Sequence, residues 1–133
     1  MKIRSVQGYW VHIRIAARES DLAMLGAVDI FQPDLAICGG ITEAMRISAL
    51  ASAHNLRLAP HLWAGAPAFA SGLHVAAASP AGFIVEYSLG ANPLLHDLVD
   101  EAFPVRDGEI EIPDRPGLGI TVREDFLAAH TVR

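Results

Sequence analysis

The sequence predicts an α/β fold, built of successive strand–helix units over a parallel sheet, on three observations. Short β-type runs alternate with helical stretches from Ala27 onward, the pattern that parallel βα units leave in a chain. Each run ends on a polar residue, first Asp34, then His61, then Glu86. His61 follows Asp34 by 27 residues and Glu86 follows His61 by 25, close to the ~30 residues per unit of a (β/α)8 barrel of about 250 residues.

The first run is Val28-Asp29-Ile30-Phe31-Gln32, closed by Pro33-Asp34. Beyond the turn-like Cys38-Gly39-Gly40, apolar residues at Ile41, Ala44, Met45, Ala49 and Leu50 predict a helix over Ile41 to Ala53, ended by His54-Asn55. Leu56 to Ala59 is the second run and leads into Pro60-His61-Leu62-Trp63; the Ala/Gly-rich stretch from Pro67 to Ala78 reads as a tightly packed helix stopped by Ser79-Pro80. Phe83-Ile84-Val85, ending at Glu86-Tyr87, reads as the third strand and the most clearly buried of the three. In the tail, Pro93 to Glu101 predicts one short helix, Val105 to Ile110 a hairpin around Asp107-Gly108, and Pro113 to Gly119 a loop. With no linker or low-complexity tract, residues 1–133 are expected to form a single domain: 1–28 lead in, 29–90 are barrel units and 91–133 are the tail.

Hydrophobic residues make up 52% and charged residues 19% of the 133, and the mean hydropathy is +0.32. An ordinary domain has roughly 45–50% and about 25%, so much of this chain expects burial. No apolar run approaches the ~20 residues of a membrane-spanning helix, and MKIRSVQGYW lacks the apolar stretch of a secretion signal. The expectation is a soluble, cytoplasmic protein without a membrane partner. The single cysteine, Cys38, cannot form an internal disulfide and has no zinc-type spacing around it, which fits a reducing compartment. A net charge of −5 without a basic stripe argues against nucleic acid.

In a barrel, neighbouring strand tips gather around one mouth, so Asp34, His61 and Glu86 are expected to meet. Asp34 accepting from one imidazole nitrogen of His61 would fix the tautomer and leave the other nitrogen as a general base. Glu86, if kept protonated in the mouth, could donate to an oxyanion that develops as a proton leaves carbon. Plainer readings stand beside these: an Asp after Pro often turns the backbone, a histidine is often a hydrogen-bonded structural residue, and Glu86 could pair with a surface cation. His54 fits a helix C-terminus, His74 fits packing or an interface, and Cys38 fits a small packed residue. Trp63 and Tyr87 fit a pocket lining and a core equally well.

Four short signatures occur in order: Gln32-Pro33-Asp34 with Cys38-Gly39-Gly40-Ile41-Thr42-Glu43-Ala44 behind it, Ala59-Pro60-His61-Leu62-Trp63, Glu86, and Ile112-Pro113-Asp114-Arg115-Pro116-Gly117-Leu118-Gly119. From about Asp29 to Val122 the chain resembles the C-terminal half of the catalytic barrel in the mandelate racemase/muconate lactonizing enzyme family of the enolase superfamily. The resemblance implies a partial (β/α)8 TIM-type barrel, about strands 5 to 8, followed by a tail. It places Asp34 and His61 at the family's Asp–His dyad and Glu86 at the acid facing the substrate carboxylate. It also implies Mg²⁺ on that carboxylate, stabilising the enediolate formed when the α-proton leaves. Ile13 to Ser20 resembles the strand that supplies a metal carboxylate, which would be Glu19.

The implied reaction is dehydration of a sugar acid. Racemisation or epimerisation by the same family, or an inactive half-barrel serving as a folded or interface module, are the alternatives. The family's N-terminal capping domain, first four strands, two further metal carboxylates and Lys-containing base motif have no counterpart in the sequence. The expectation is therefore a truncated barrel domain, inactive alone, that self-associates or joins a complementing N-terminal half around a small carboxylate or sugar-acid substrate.

Overall fold

The structure, a computed structural model, describes residues 19–132. A short helix α1 (Glu19–Met24) precedes β1 (Ile30–Phe31), α2 (Gly40–Ala53), β2 (Arg57–Leu58) and α3 (Ala66–Ala78). The strand–helix–strand order places β1 and β2 side by side and parallel, Ile30 facing Arg57 and Phe31 facing Leu58. The ladder includes Arg57 N–H to Asp29 O at 3.1 Å, Ala59 N–H to Phe31 O at 3.0 Å and His61 N–H to Pro33 O at 3.1 Å. Pro33 has no N–H to give to β2, so each regular strand is only two residues long, but the pairing resumes where Asp34 faces His61.

Gly39, at φ 109°, starts α2 in a conformation that a side chain would resist. The helix buries Ala44, Ile47, Ser48 and Ala51, the stripe that a 3.6-residue repeat requires. Ile41, expected on that stripe, is 44% exposed. At the far end Asn55, at φ 55°, turns the chain into β2. Helix α3 takes Pro67 in its first turn and packs on α2, where the Ser48 hydroxyl donates to Ser79 Oγ at 2.6 Å. Both serines are buried, so the bond satisfies groups that would otherwise be desolvated without a partner.

The third run departs from the expectation of a buried strand. It touches β2 through one bridge, Leu58 to Gly82, with Leu58 N–H on Ala81 O at 2.7 Å. Two residues on, Pro60 has no N–H to continue the ladder, and the next donor, Leu62 N–H, goes to the Glu86 side chain. Phe83 and Ile84 are 40% and 57% exposed. Among the described residues the parallel sheet thus has two strands plus a run held at one point, and it does not close into a barrel.

The tail also differs from expectation. Helix α4 (Pro93–His96) ends early, because the following segment runs antiparallel to the chain near Val122: Asp100 N–H donates to Thr121 O at 3.0 Å and Arg123 N–H to Leu98 O at 2.8 Å. Glu101 secures this pairing by accepting from Thr121 N–H at 2.6 Å, from its hydroxyl at 2.9 Å and from Arg115. Burial pushes the Glu101 carboxyl up, but these hydrogen bonds together hold it below the ordinary glutamate value. The hairpin of β3 (Val105–Arg106) and β4 (Glu109–Ile110) turns at Asp107 and Gly108, both at positive φ, as a tight two-residue turn demands. Helix α5 (Glu124–His130) closes the described chain.

Two apolar clusters carry the packing. One joins β1, α2 and β2 through Phe31, Leu35, Ile47, Ala51 and Leu58. The other joins the loop after His61, α3 and the tail through Leu62, Phe69, Leu73, Leu95, Leu98 and Phe103. Phe69 is fully buried and meets Tyr87 and Phe103 edge-on, with centroids at 5.3 and 4.9 Å.

Candidate active site

The β1–β2 register builds the centre of the site. Ile30 and Arg57, Phe31 and Leu58, Asp34 and His61 all pair at the same step of 27 residues, so Asp34 and His61 sit opposite one another at the C-terminal ends of adjacent parallel strands. His61 Nδ1 lies 2.8 Å from Asp34 Oδ2. The other Asp34 oxygen accepts from Ala36 N–H at 2.8 Å, and its carbonyl accepts from Cys38 N–H at 2.7 Å. The carboxylate is therefore fixed by its own turn before it meets the imidazole. With Oδ1 already accepting from Ala36 N–H, an Asp34 carboxylate accepts at Oδ2 too, which puts the imidazole proton on Nδ1 and the basic lone pair on Nε2.

Nε2 lies 3.9 Å from Glu86 Oε2. That oxygen also accepts from Leu62 N–H at 3.1 Å, so Glu86 is tied to the residue that follows His61. Its side chain, at 46% exposed, is the most open of the three. The structure thus gathers Asp34, His61 and Glu86, an imidazole with a carboxylate on either side, and such a set can accept and return one proton at Nε2.

Glu19 does not join them among the described contacts. It opens α1, while its side chain and the run Ile13 to Arg18 lie outside the described residues. Among the described residues no group of three or more His, Cys, Asp or Glu side chains could hold a metal ion. Cys38 is partly buried with its thiol on Gly40 O at 3.8 Å, and burial pushes that thiol up, away from a nucleophile. Trp63 stands 69% exposed two residues beyond His61, while Tyr87 packs on Phe69. A cavity of about 380 Å³ borders Asp34, between Phe31, Ile37 and Ile47. One of about 600 Å³ lies away from it, between α3, the third run and the hairpin, and is mainly apolar. Neither cavity is lined by His61 or Glu86.

Asn92 was not foreseen. Its Oδ1 accepts from Leu95 N–H at 3.3 Å to cap α4, and its Nδ2 is 3.4 Å from both Trp63 O and Ala64 O. The signal for the cap was present, an Asn directly before Pro93 and an apolar pair. The loop contact has no local signature, since its partners lie 29 and 28 residues away.

Among the described residues no helix is long and apolar enough to cross a membrane. The family model described as enolase C-terminal domain-like matches residues 12–126. The chain is 38% identical over 110 residues to the D-galactarolactone cycloisomerase of Agrobacterium fabrum, covering 77% of this chain and 29% of that protein. Its structure superposes on the mandelate racemase/muconate lactonizing enzyme from Jannaschia sp. CCS1 with a TM-score of 0.77 and 35% identity, covering 86% of this chain and 29% of that one. It superposes on L-talarate dehydratase from Polaromonas sp. JS666, complexed with Mg and L-glucarate, with a TM-score of 0.69 and 36% identity, covering 83% and 28%. The chain therefore spans less than a third of the relatives it matches. A family match over so much of this sequence, joined to two parallel βα units with an Asp–His pair at their tips, places the chain in the enolase C-terminal domain-like family, with the mandelate racemase and muconate lactonizing enzymes of the enolase superfamily.

Proposed function

We propose that this chain supplies the Asp–His part of an active site that removes the proton α to the carboxylate of a sugar acid, with dehydration as the outcome. The observation that carries the reading is the 2.8 Å contact of Asp34 with His61 Nδ1, with Nε2 on the side of Glu86. The sugar-acid chemistry in the names of the cycloisomerase and dehydratase relatives supports the substrate class. His61 Nε2 takes the α-proton, and the C–H electron pair passes into the enediolate. Asp34 stabilises the imidazolium that results. Collapse of the enediolate breaks the β C–O bond, and the hydroxide leaving with that electron pair takes the proton back from His61 as water. If a completed mouth kept Glu86 protonated, its Oε1 would donate to the enediolate oxygen while Oε2 holds Leu62 N–H.

Mg²⁺ supplies charge neutralisation at the carboxylate in the family's chemistry. The described residues do not fit it: Asp34 is committed to His61 and Ala36, Glu86 to Leu62, and near-octahedral oxygen ligation is lacking. Glu19 is the one carboxylate this chain would add, the others coming from a complementing polypeptide.

The test mixes the purified chain with the remaining N-terminal portion of the Agrobacterium fabrum relative, Mg²⁺ and a panel of aldonates and aldarates in D2O. The expected result is α-proton exchange and dehydration, both reduced by ~10²–10⁴-fold in His61→Ala. Exchange that persists in His61→Ala overturns the assignment, and an epimer formed without dehydration selects the racemase alternative. A non-catalytic interface module is a second reading, favoured by exposed Ile30, Phe83 and Ile84 along the incomplete sheet. It predicts a stable assembly in light scattering with no turnover under any pairing.

A further inference from the structure

We infer that Asn92 is a positioning residue for His61, acting through the loop that joins His61 to α3. The inference rests on the reading of His61 as the base.

Asn, Asp, Ser and Thr all cap helices well, so a cap alone does not select among them. At position 92 the second contact does. The two backbone carbonyls, Trp63 O and Ala64 O, accept only, and each stands 3.4 Å from Nδ2. The α4 end of the same side chain needs an acceptor for Leu95 N–H. Only an amide presents two donors on one arm and an acceptor on the other in this arrangement, and the carbonyls also settle which way the amide points. Asp would cap α4 but set a carboxylate against two carbonyl oxygens, whereas Ser is too short to span the gap.

The loop from Leu62 to Gly65 is held at three places. Leu62 N–H is on Glu86, Trp63 O and Ala64 O are on Asn92, and Gly65 lies so close to α4 that a Cβ there would be 2.9 Å from Leu94 O. On its other side His61 is held by the ladder bond to Pro33 O. The ring of His61 therefore takes its place between a strand set by β1 and a loop set by α4. Asn92 links the tail to the dyad although it touches neither Asp34 nor His61.

The experiment is amide hydrogen exchange on the full chain by NMR, with the His61 ring resonances identified by their loss in His61→Ala. In Asn92→Asp the α4 amides of Leu95 and His96 keep their protection, while the Leu62 amide exchanges at least about tenfold faster and the His61 ring resonances shift. Asn92→Ser, neutral and able to cap, gives the same pattern if lost donors rather than added charge are the cause. Unchanged Leu62 exchange and His61 resonances in Asn92→Asp overturn the inference. So does a uniform rise through α2 and α4, which is the mark of general destabilisation. If the loop responds as expected but His61→Ala leaves α-proton exchange intact in the complemented assembly, the catalytic reading of His61 fails and the positional link stands.

Discussion

Replacing Gly72 by Ala sets two effects of opposite sign against each other. Gly72 lies inside α3, where Ala favours the helix by about 0.5–1 kcal/mol. The added methyl, however, would sit 2.1 Å from Leu62 Cδ2, with Cδ1 and Cγ at 3.1 and 3.2 Å. Carbon atoms in contact prefer about 3.5–4.0 Å, so Leu62 must move by more than an ångström. A leucine side chain can rotate away cheaply when it has space, but Leu62 is 1% exposed and enclosed by Phe69, Leu73 and Leu95. Overpacking of this kind costs about 1–3 kcal/mol and outweighs the helix gain, leaving a net loss of ~1–2 kcal/mol. With a urea m-value of about 2 kcal/mol/M, the midpoint falls by roughly 0.5–1 M. The assay is a double-mutant cycle with Leu62→Ala: Gly72→Ala becomes neutral or stabilising once Leu62 is truncated, a coupling of at least about 1 kcal/mol. Stabilisation by Gly72→Ala in the unaltered background, with no coupling to Leu62, would refute the close approach of α3 to the His61 loop.

At Gly82 the obstacle is backbone, since an added Cβ would lie 2.1 Å from Ala76 O and 3.2 Å from Ser79 O; Gly82→Ala is expected to lower the urea midpoint further than Gly72→Ala, with no rescue by trimming any side chain. Glu101 titrates below its ordinary 4.5 in the folded chain because its hydrogen bonds to Thr121 and Arg115 outweigh its burial. Its contribution is therefore fully present above the unfolded value and declines as pH falls through the folded one. In urea titrations from pH 7 down to about pH 3, the stability difference between the native chain and Glu101→Gln should shrink below pH 4.5, and a constant difference would show that the carboxylate does not hold the tail.

The parts of this fold that are legible in the sequence are those fixed by local rules. The β1–α2–β2 unit, α3 and the Asp107-Gly108 hairpin follow from periodicity, helix stops and a turn pair, and the structure places each within a few residues of its expected bounds. Family-matched motifs also pointed to Asp34, His61 and Glu86, and these come together. Legibility fails where the outcome depends on a distant partner. Phe83-Ile84-Val85 has the composition of a buried strand, yet a strand needs donors from its neighbour, and Pro60 removes one while Leu62 gives its own to Glu86. Pro93 to Glu101 has the composition of one helix, yet its second half pairs with Thr121 to Arg123, some 20 residues away. Asn92 shows its cap to the reader of the sequence and hides its loop contact for the same reason.

These two kinds of dependence divide the candidate site itself. The dyad needs only the register of one βα unit: a constant step of 27 residues carries the pairing to Asp34 and His61, and a one-residue slip of β2 against β1 would turn His61 to the opposite face. Glu86 has no such support. It follows a run attached to β2 at Gly82, its side chain is 46% exposed, and its 3.9 Å separation from Nε2 is longer than a hydrogen bond. His61 is thus held by the register of this chain's own strands, whereas Glu86 opposite it follows the exposed run through Phe83 and Ile84. If the proposed function holds, docking of a complementing polypeptide should change the environment of Glu86 far more than that of Asp34, as read by their carboxyl resonances in NMR, and equal changes at both would refute the difference in support.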